Sequence, residues 1–104
     1  MTDNQVGYIL TMHAKPGRGK ELHDLVARVT AESGDVESWI FAAPDGDPDT
    51  LIGIEFYKDD AALAAHEESP IVDAVRNQIF ELLADGGERT LIRPTASSVP
   101  LLRS

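Results

Sequence analysis

The sequence predicts an α+β fold of the split βαβ, ferredoxin-like kind, with an antiparallel sheet and helices on one of its faces. Three observations lead there. Segments of two-residue period and segments of helical period follow each other in the order β–α–β–β–α–α–β. A short turn rich in Asp, Gly and Pro between the second and third strands asks for a hairpin. Proline and glycine stand at the remaining boundaries, where the chain must change direction.

The first strand is expected from Val6 to Ala14, with Val6, Tyr8, Leu10 and Met12 alternating with Gly7, Ile9, Thr11 and His13. Both sets hold bulky apolar residues, so both faces should be covered. Lys15-Pro16-Gly17-Arg18-Gly19 ends it. A helix follows over about 20–32, with Leu22, Leu25, Val26 and Val29 as its apolar stripe and Ser33-Gly34 as its stop. The second strand, Val36 to Ala43, places Trp39 and Phe41 on one face. The Asp45, Asp47 and Asp49 turn has calcium-loop composition, but no glutamate closes it at the required spacing, so it reads as a solvated turn.

The third strand, Leu51 to Tyr57, sends Ile52, Ile54 and Phe56 one way and Leu51, Gly53, Glu55 and Tyr57 the other. Asp59 or Asp60 can cap the short helix that carries Leu63 and His66. Ser69 and Pro70 are cap and first-turn residues of the next helix, which should run to about Ala84 on a stripe of Ile71, Val72, Val75, Ile79, Leu82 and Leu83. Asp85-Gly86-Gly87 separates it from a fourth strand, Glu88 to Arg93. Val99-Pro100-Leu101-Leu102 suits a tail that touches a partner better than a central strand.

A chain of 104 residues, 42% hydrophobic and 26% charged, is expected to make one globular domain. Eighteen acids against 9 bases give a net charge of −9 with no basic cluster, which argues against nucleic acid and against anionic membranes. The absence of cysteine removes thiolate metal sites and a cysteine nucleophile and fits a cytoplasmic protein. The N-terminus has neither the charge pattern nor the apolar run of a signal peptide or membrane span. With helices on one face only, the other sheet face would be a large apolar surface, and a symmetric homodimer, sheet against sheet, is the simplest cover.

Chemistry is hinted at where the third strand meets the next helix. Tyr57 at the strand end and His66 on the helix can meet over one sheet face. Histidine titrates near neutrality and suits a base, although His66 could instead bond a backbone carbonyl and lock its helix. Tyr57 could bond a substrate oxygen or stack on a ring. Trp39 and Phe41 could wall an aromatic pocket, but core or dimer interface is the expected role; His13 and Met12 could serve the pocket mouth, but a solvated strand end is the expected reading. Glu55, if buried, would have a raised pKa and could act as a base, but a salt bridge to Arg93 or Arg89 is the expected arrangement. His23 lies off the apolar stripe and is assigned no function. The three scattered histidines have no metal-site spacing, and Gly17-Arg18-Gly19-Lys20 is too short for a phosphate loop.

Lys15-Pro16-Gly17 before the first helix, Gly34 before the second strand, and the block Asp59, Ala61, Ala62, Leu63, His66, Ser69, Pro70 resemble the antibiotic biosynthesis monooxygenase domain over roughly residues 5–95. The resemblance implies a dimeric α+β barrel, a core over 5–95 and a tail over 96–104. It also implies a cofactor-independent monooxygenase that oxidises a hydrophobic phenol, quinol or polyketide-like aromatic with dioxygen; His66 and Tyr57, from the reading of the residues above, are the expected catalytic groups. A non-catalytic binding or stress-response dimer, or an isomerase in which His66 moves a proton, would use the same pocket. A haem-degrading branch of that fold needs Asn, Trp and His where this chain has Leu10, Tyr57 and Val75, so haem degradation is rejected.

Overall fold

A computed structural model of the chain describes residues 5–97. Its order is β1 (Val6–His13), α1 (Gly19–Ser33), β2 (Ser38–Ala42), β3 (Thr50–Tyr57), α2 (Asp60–Glu67), α3 (Pro70–Leu82) and β4 (Glu88–Ile92). The strands form one antiparallel sheet in the order β2-β3-β1-β4. The fold is therefore the α+β, split βαβ arrangement that the sequence predicts. The expected tail from Val99 to Leu102 lies outside the described residues.

Residues opposite one another in an antiparallel pair share a face, so the register sorts every strand. Three rows cross the helix-facing side: Tyr57 beside Val6; Trp39, Glu55, Tyr8 and Leu91; then Phe41, Gly53, Leu10 and Arg89. Leu51 and Met12 complete this side. The outer side carries Ile9, Ile52, Ile54, Ile40 and Phe56. The face assignment expected for β3 is the one observed.

Helix ends follow local chemistry. Gly34 closes α1 in the left-handed conformation at φ 75°. Asp59 caps α2, its carboxylate accepting from the Ala62 amide at 2.8 Å. Ser69 and Pro70 occupy the expected positions at the start of α3, but the Ser69 side chain makes no capping bond. Helix α3 stops at Leu82, short of Ala84, because a competing partner takes the chain. Lys15 donates to the Leu82 carbonyl at 2.8 Å and Ala84 to that of His13 at 2.8 Å, so Leu83 is drawn into a bridge with Ala14 at the end of β1.

The core is a cluster of Leu22 and Val26 from α1, Leu51 from β3, Ala14, and Leu82 and Leu83. Leu22 and Leu51 are fully excluded from solvent. Leu22→Ala is expected to destabilise the protein by about 3 kcal/mol, the usual combined loss of transfer energy and cavity formation. Urea unfolding checks this as a lower midpoint at unchanged slope.

Candidate functional site

A cavity of about 520 Å³ lies between the sheet and its helices. Leu10, Met12, Glu55 and Arg89 form its floor, Val26, Val29 and Thr30 its α1 wall, His66 and Glu67 its α2 wall, and Val72, Arg76, Ile79 and Phe80 its α3 wall. Apolar walls with few polar groups are what a pocket for a hydrophobic molecule requires. Phe80 of the α3 wall remains 56% exposed.

The polar groups gather under α2. Asp59 fixes the start of that helix, and two turns later His66 and Glu67 stand over the sheet. The His66 ring packs on the Tyr57 ring at 5.4 Å between centroids. Its Nδ1 is buried and has no hydrogen-bond partner among the described residues. Burial lowers the His66 pKa below its ordinary value, against the smaller pull of Asp35 and Glu67, so the imidazole is neutral at pH 7.

Tyr57 is 1% exposed, and its hydroxyl donates to Glu55 Oε1 at 3.2 Å. Burial and the neighbouring Glu55 carboxyl push the phenol pKa well up, so Tyr57 stays protonated and acts as a donor. The Glu55 carboxyl has its own pKa raised by desolvation, which the Tyr57 bond and the Arg89 charge only partly offset. The salt bridge expected for Glu55 is not among the contacts of the described residues: Arg89 pairs with Glu67 at 3.5 Å and Arg93 with Asp60 at 3.0 Å. Both arginines are answered by acids of α2, which sit nearer the solvent and cost less to keep charged.

A second group braces this cluster. Tyr8 donates to Glu67 Oε1 at 2.8 Å, meets the Tyr57 ring edge-on at 6.4 Å, and lies under the Arg89 guanidinium at 4.5 Å. Burial, then the bond to Glu67, raises the Tyr8 pKa.

The structure thus brings His66, Tyr57 and Met12 to one place, with Met12 in the cavity floor and Tyr57 behind His66. Trp39 and Phe41 stack at 5.1 Å on the same sheet face, but over β2, beside the cavity and outside its lining. His13 belongs to the opposite face, where its Nδ1 lies 3.1 Å from Thr50 Oγ1. His23, off the apolar stripe, lies with Nε2 3.0 Å from the Thr50 carbonyl. Sequence reasoning did not find Tyr8, Glu67 and Arg89. The two-residue spacing of Arg89 and Leu91 puts both on one face of the strand, but only the β1–β4 register puts Arg89 beside Leu10. No cluster of metal-ligating side chains occurs among the described residues, and no described helix is long and apolar enough to cross a membrane.

A four-stranded antiparallel sheet that roofs an apolar cavity with three helices, its polar groups gathered under the second, defines a class of small α+β pocket proteins. The chain belongs to the antibiotic biosynthesis monooxygenase family, whose sequence pattern it matches over residues 6–78. Among solved structures, it is similar to a proposed antibiotic biosynthesis monooxygenase from Chloroflexus aurantiacus J-10-fl, at 21% identity and a TM-score of 0.79, covering 91% of this chain and 97% of that one. SnoaB from Streptomyces nogalater, a cofactor-independent oxygenase solved as a point mutant, is similar at 13% identity and a TM-score of 0.78, covering 91% and 97%. Rv0793 from Mycobacterium tuberculosis is similar at 23% identity and a TM-score of 0.76, covering 91% and 99%. At these identities the likeness is one of fold. No curated protein matches the chain.

Proposed function

We propose that the protein is a cofactor-independent monooxygenase that oxidises a hydrophobic phenol, quinol or polyketide-like aromatic with dioxygen. The observation that carries this reading is His66: a neutral imidazole in the wall of a largely apolar cavity, with a buried nitrogen left unpaired among the described residues. Such a group can take a proton from a bound phenol or activated methylene. The electron-rich anion is then held in a dry space where it can reduce dioxygen directly. Met12 and the α1 side chains supply contact for a flat ring, Tyr57 fixes the plane of His66, and the stacked Trp39 and Phe41 extend the aromatic wall beside the cavity. Dioxygen uptake by the purified, metal-free protein over a panel of quinols and anthrone-type phenols tests it. Uptake above the spontaneous rate is expected; no uptake with any of them would instead favour ligand binding without turnover, or proton transfer alone.

The working unit in this reading is a homodimer joined through the outer sheet face. Ile9, Ile40, Ile52 and Ile54 are exposed there, Ile40 by 67%. The Ser38 hydroxyl on that face, and the Gln5 amide just before β1, are buried without hydrogen-bond partners among the described residues. An exposed apolar face of this kind suits contact with a second copy of the chain. Ile54→Lys should weaken the dimer by roughly 100-fold, because each copy would bury an unpaired ammonium. Sedimentation at micromolar concentration reads this directly, and a wild-type monomer would refute the dimer.

A further inference from the structure

We propose that Glu55 is the general acid of this cavity, a carboxylic acid that gives its proton to the oxygen leaving the substrate, with Tyr57 as its positioning residue. The proposal rests on the oxygenase reading for its reaction, but its structural basis is separate.

Glu55 is 6% exposed and stands in the cavity floor. Its hydrogen bond among the described residues comes from the Tyr57 hydroxyl at 3.2 Å, which occupies Oε1. No cation pairs with it there, although Arg89 faces the same cavity from β4 and Arg76 from α3. Arg89 is held by Glu67, and Arg76 by Asp73 at 3.1 Å. The other titratable groups around it are Tyr8 from β1 and His66 and Glu67 from α2; α1 brings none to the cavity lining. An isolated carboxylate is costly in such surroundings, and a neutral carboxyl is not. The direction of the Glu55 shift agrees.

His66 is moved the opposite way. Desolvation favours the neutral form of each group, a protonated carboxyl and an unprotonated imidazole, and these forms divide naturally into acid and base. Here the base is neutral when empty and the acid neutral when loaded, so the cavity holds both without burying net charge. Tyr57 joins them, with its hydroxyl on Glu55 and its ring against His66.

For an anthrone-type methylene, His66 takes one methylene proton, and the carbanion passes an electron to dioxygen. The two radicals combine through a new C–O bond, and the peroxide anion recovers the proton from His66. His66 then takes the second methylene proton while the carbonyl forms and the O–O bond breaks. The departing hydroxide takes the proton of Glu55 and leaves as water, and protonated His66 reloads Glu55. Methylene and dioxygen become carbonyl and water; the substrate carbon supplies all the electrons.

Infrared difference spectra of the wild type against Glu55→Gln, with 1,8-dihydroxyanthrone as probe, test the assignment. At pH 7 the wild type should show the C=O stretch of a protonated carboxyl that the variant lacks. Anaerobic addition of the probe should shift that band as Glu55 meets the ligand oxygen. A carboxylate spectrum at pH 7, or a band unmoved by the probe, overturns the proposal. In turnover, Glu55→Gln should slow dioxygen uptake by about 100-fold and remove the alkaline limb of the pH–rate profile while leaving the acid limb of His66. Uptake unchanged at every pH would leave the oxygenase standing and Glu55 without this role. A shifted band with no uptake by the wild type would keep the Glu55 contact and discard the oxygenase. If Glu55→Gln does not fold, Glu55→Asp, which keeps the acid on a shorter stem, replaces it: a carboxyl band at altered frequency is expected, and a spectrum identical to wild type overturns the assignment.

Discussion

His66→Ala is expected to lower dioxygen uptake by roughly 100- to 10,000-fold, the range typical of losing a positioned proton-transfer group. Folding should change by less than about 1 kcal/mol. The two effects separate because of how the ring is held. It is half-buried, its Nδ1 makes no hydrogen bond among the described residues, and its packing partner is one face of Tyr57. Removing it enlarges a cavity that already exists and orphans no partner. A drop in melting temperature without a specific loss of turnover would make His66 a helix-positioning residue only.

The pH dependence of stability gives an independent reading. Burial holds the folded-state pKa of His66 below its unfolded value, so between the two the unfolded chain binds more protons. Wild-type stability therefore rises with pH through that window, and its His66 contribution is lost as pH falls below about 6.5. The alanine variant should lack this part of the slope. Equal slopes for the two proteins would mean that His66 is not desolvated.

Gly19→Ala is expected to destabilise the protein by about 2–3 kcal/mol and lower its melting temperature by on the order of 10 °C. In an isolated helix the same change would be favourable by about 1 kcal/mol. Here a methyl group at residue 19 would run into the Pro48 carbonyl, and would approach the Asp49 Cα at 2.7 Å. Asp49 itself clasps the start of α1, accepting from the Gly17 and Gly19 amides at 3.0 Å each. The methyl group pushes the loop away and loosens both charge-assisted bonds. Gly86→Ala is the control: nothing lies within 4 Å of the added carbon, so its effect should stay within about 0.5 kcal/mol. Equal effects at the two positions would refute the steric account.

The same loop shows where sequence reading stops. Alternation and helical spacing depend on nearest neighbours along the chain, so element order, the two faces of β3 and the shared face of Trp39 and Phe41 are all legible. The Asp45 to Asp49 turn reads as uniformly solvated because composition does not say what a loop faces. Folded against α1, it puts Asp49 on two amides, and Asp47 accepts from the Thr50 hydroxyl at 2.6 Å. The partner of Glu55 escapes for a similar reason. Opposite charge suggests Arg89 or Arg93, but α2 carries Glu67 and Asp60 to both, and only tertiary packing decides that competition. The stripe of α3 overstates its length, since it continues into Leu83, where the bridge to Ala14 captures the chain. His66 and Tyr57 are legible as neighbours because strand end and helix are adjacent in sequence; Tyr8 and Arg89 depend on a sheet register that no local pattern encodes.

The Asp49 clasp also turns two backbone amides into reporters. The Gly17 and Gly19 protons lie at the start of a helix, where amides normally exchange with solvent quickly. Here they are held by a side chain from the hairpin some thirty residues further along. Their deuterium uptake is therefore set by how often the hairpin loop lifts off α1. It would time the parting of the two halves of the domain, separately from the fraying of the helix itself.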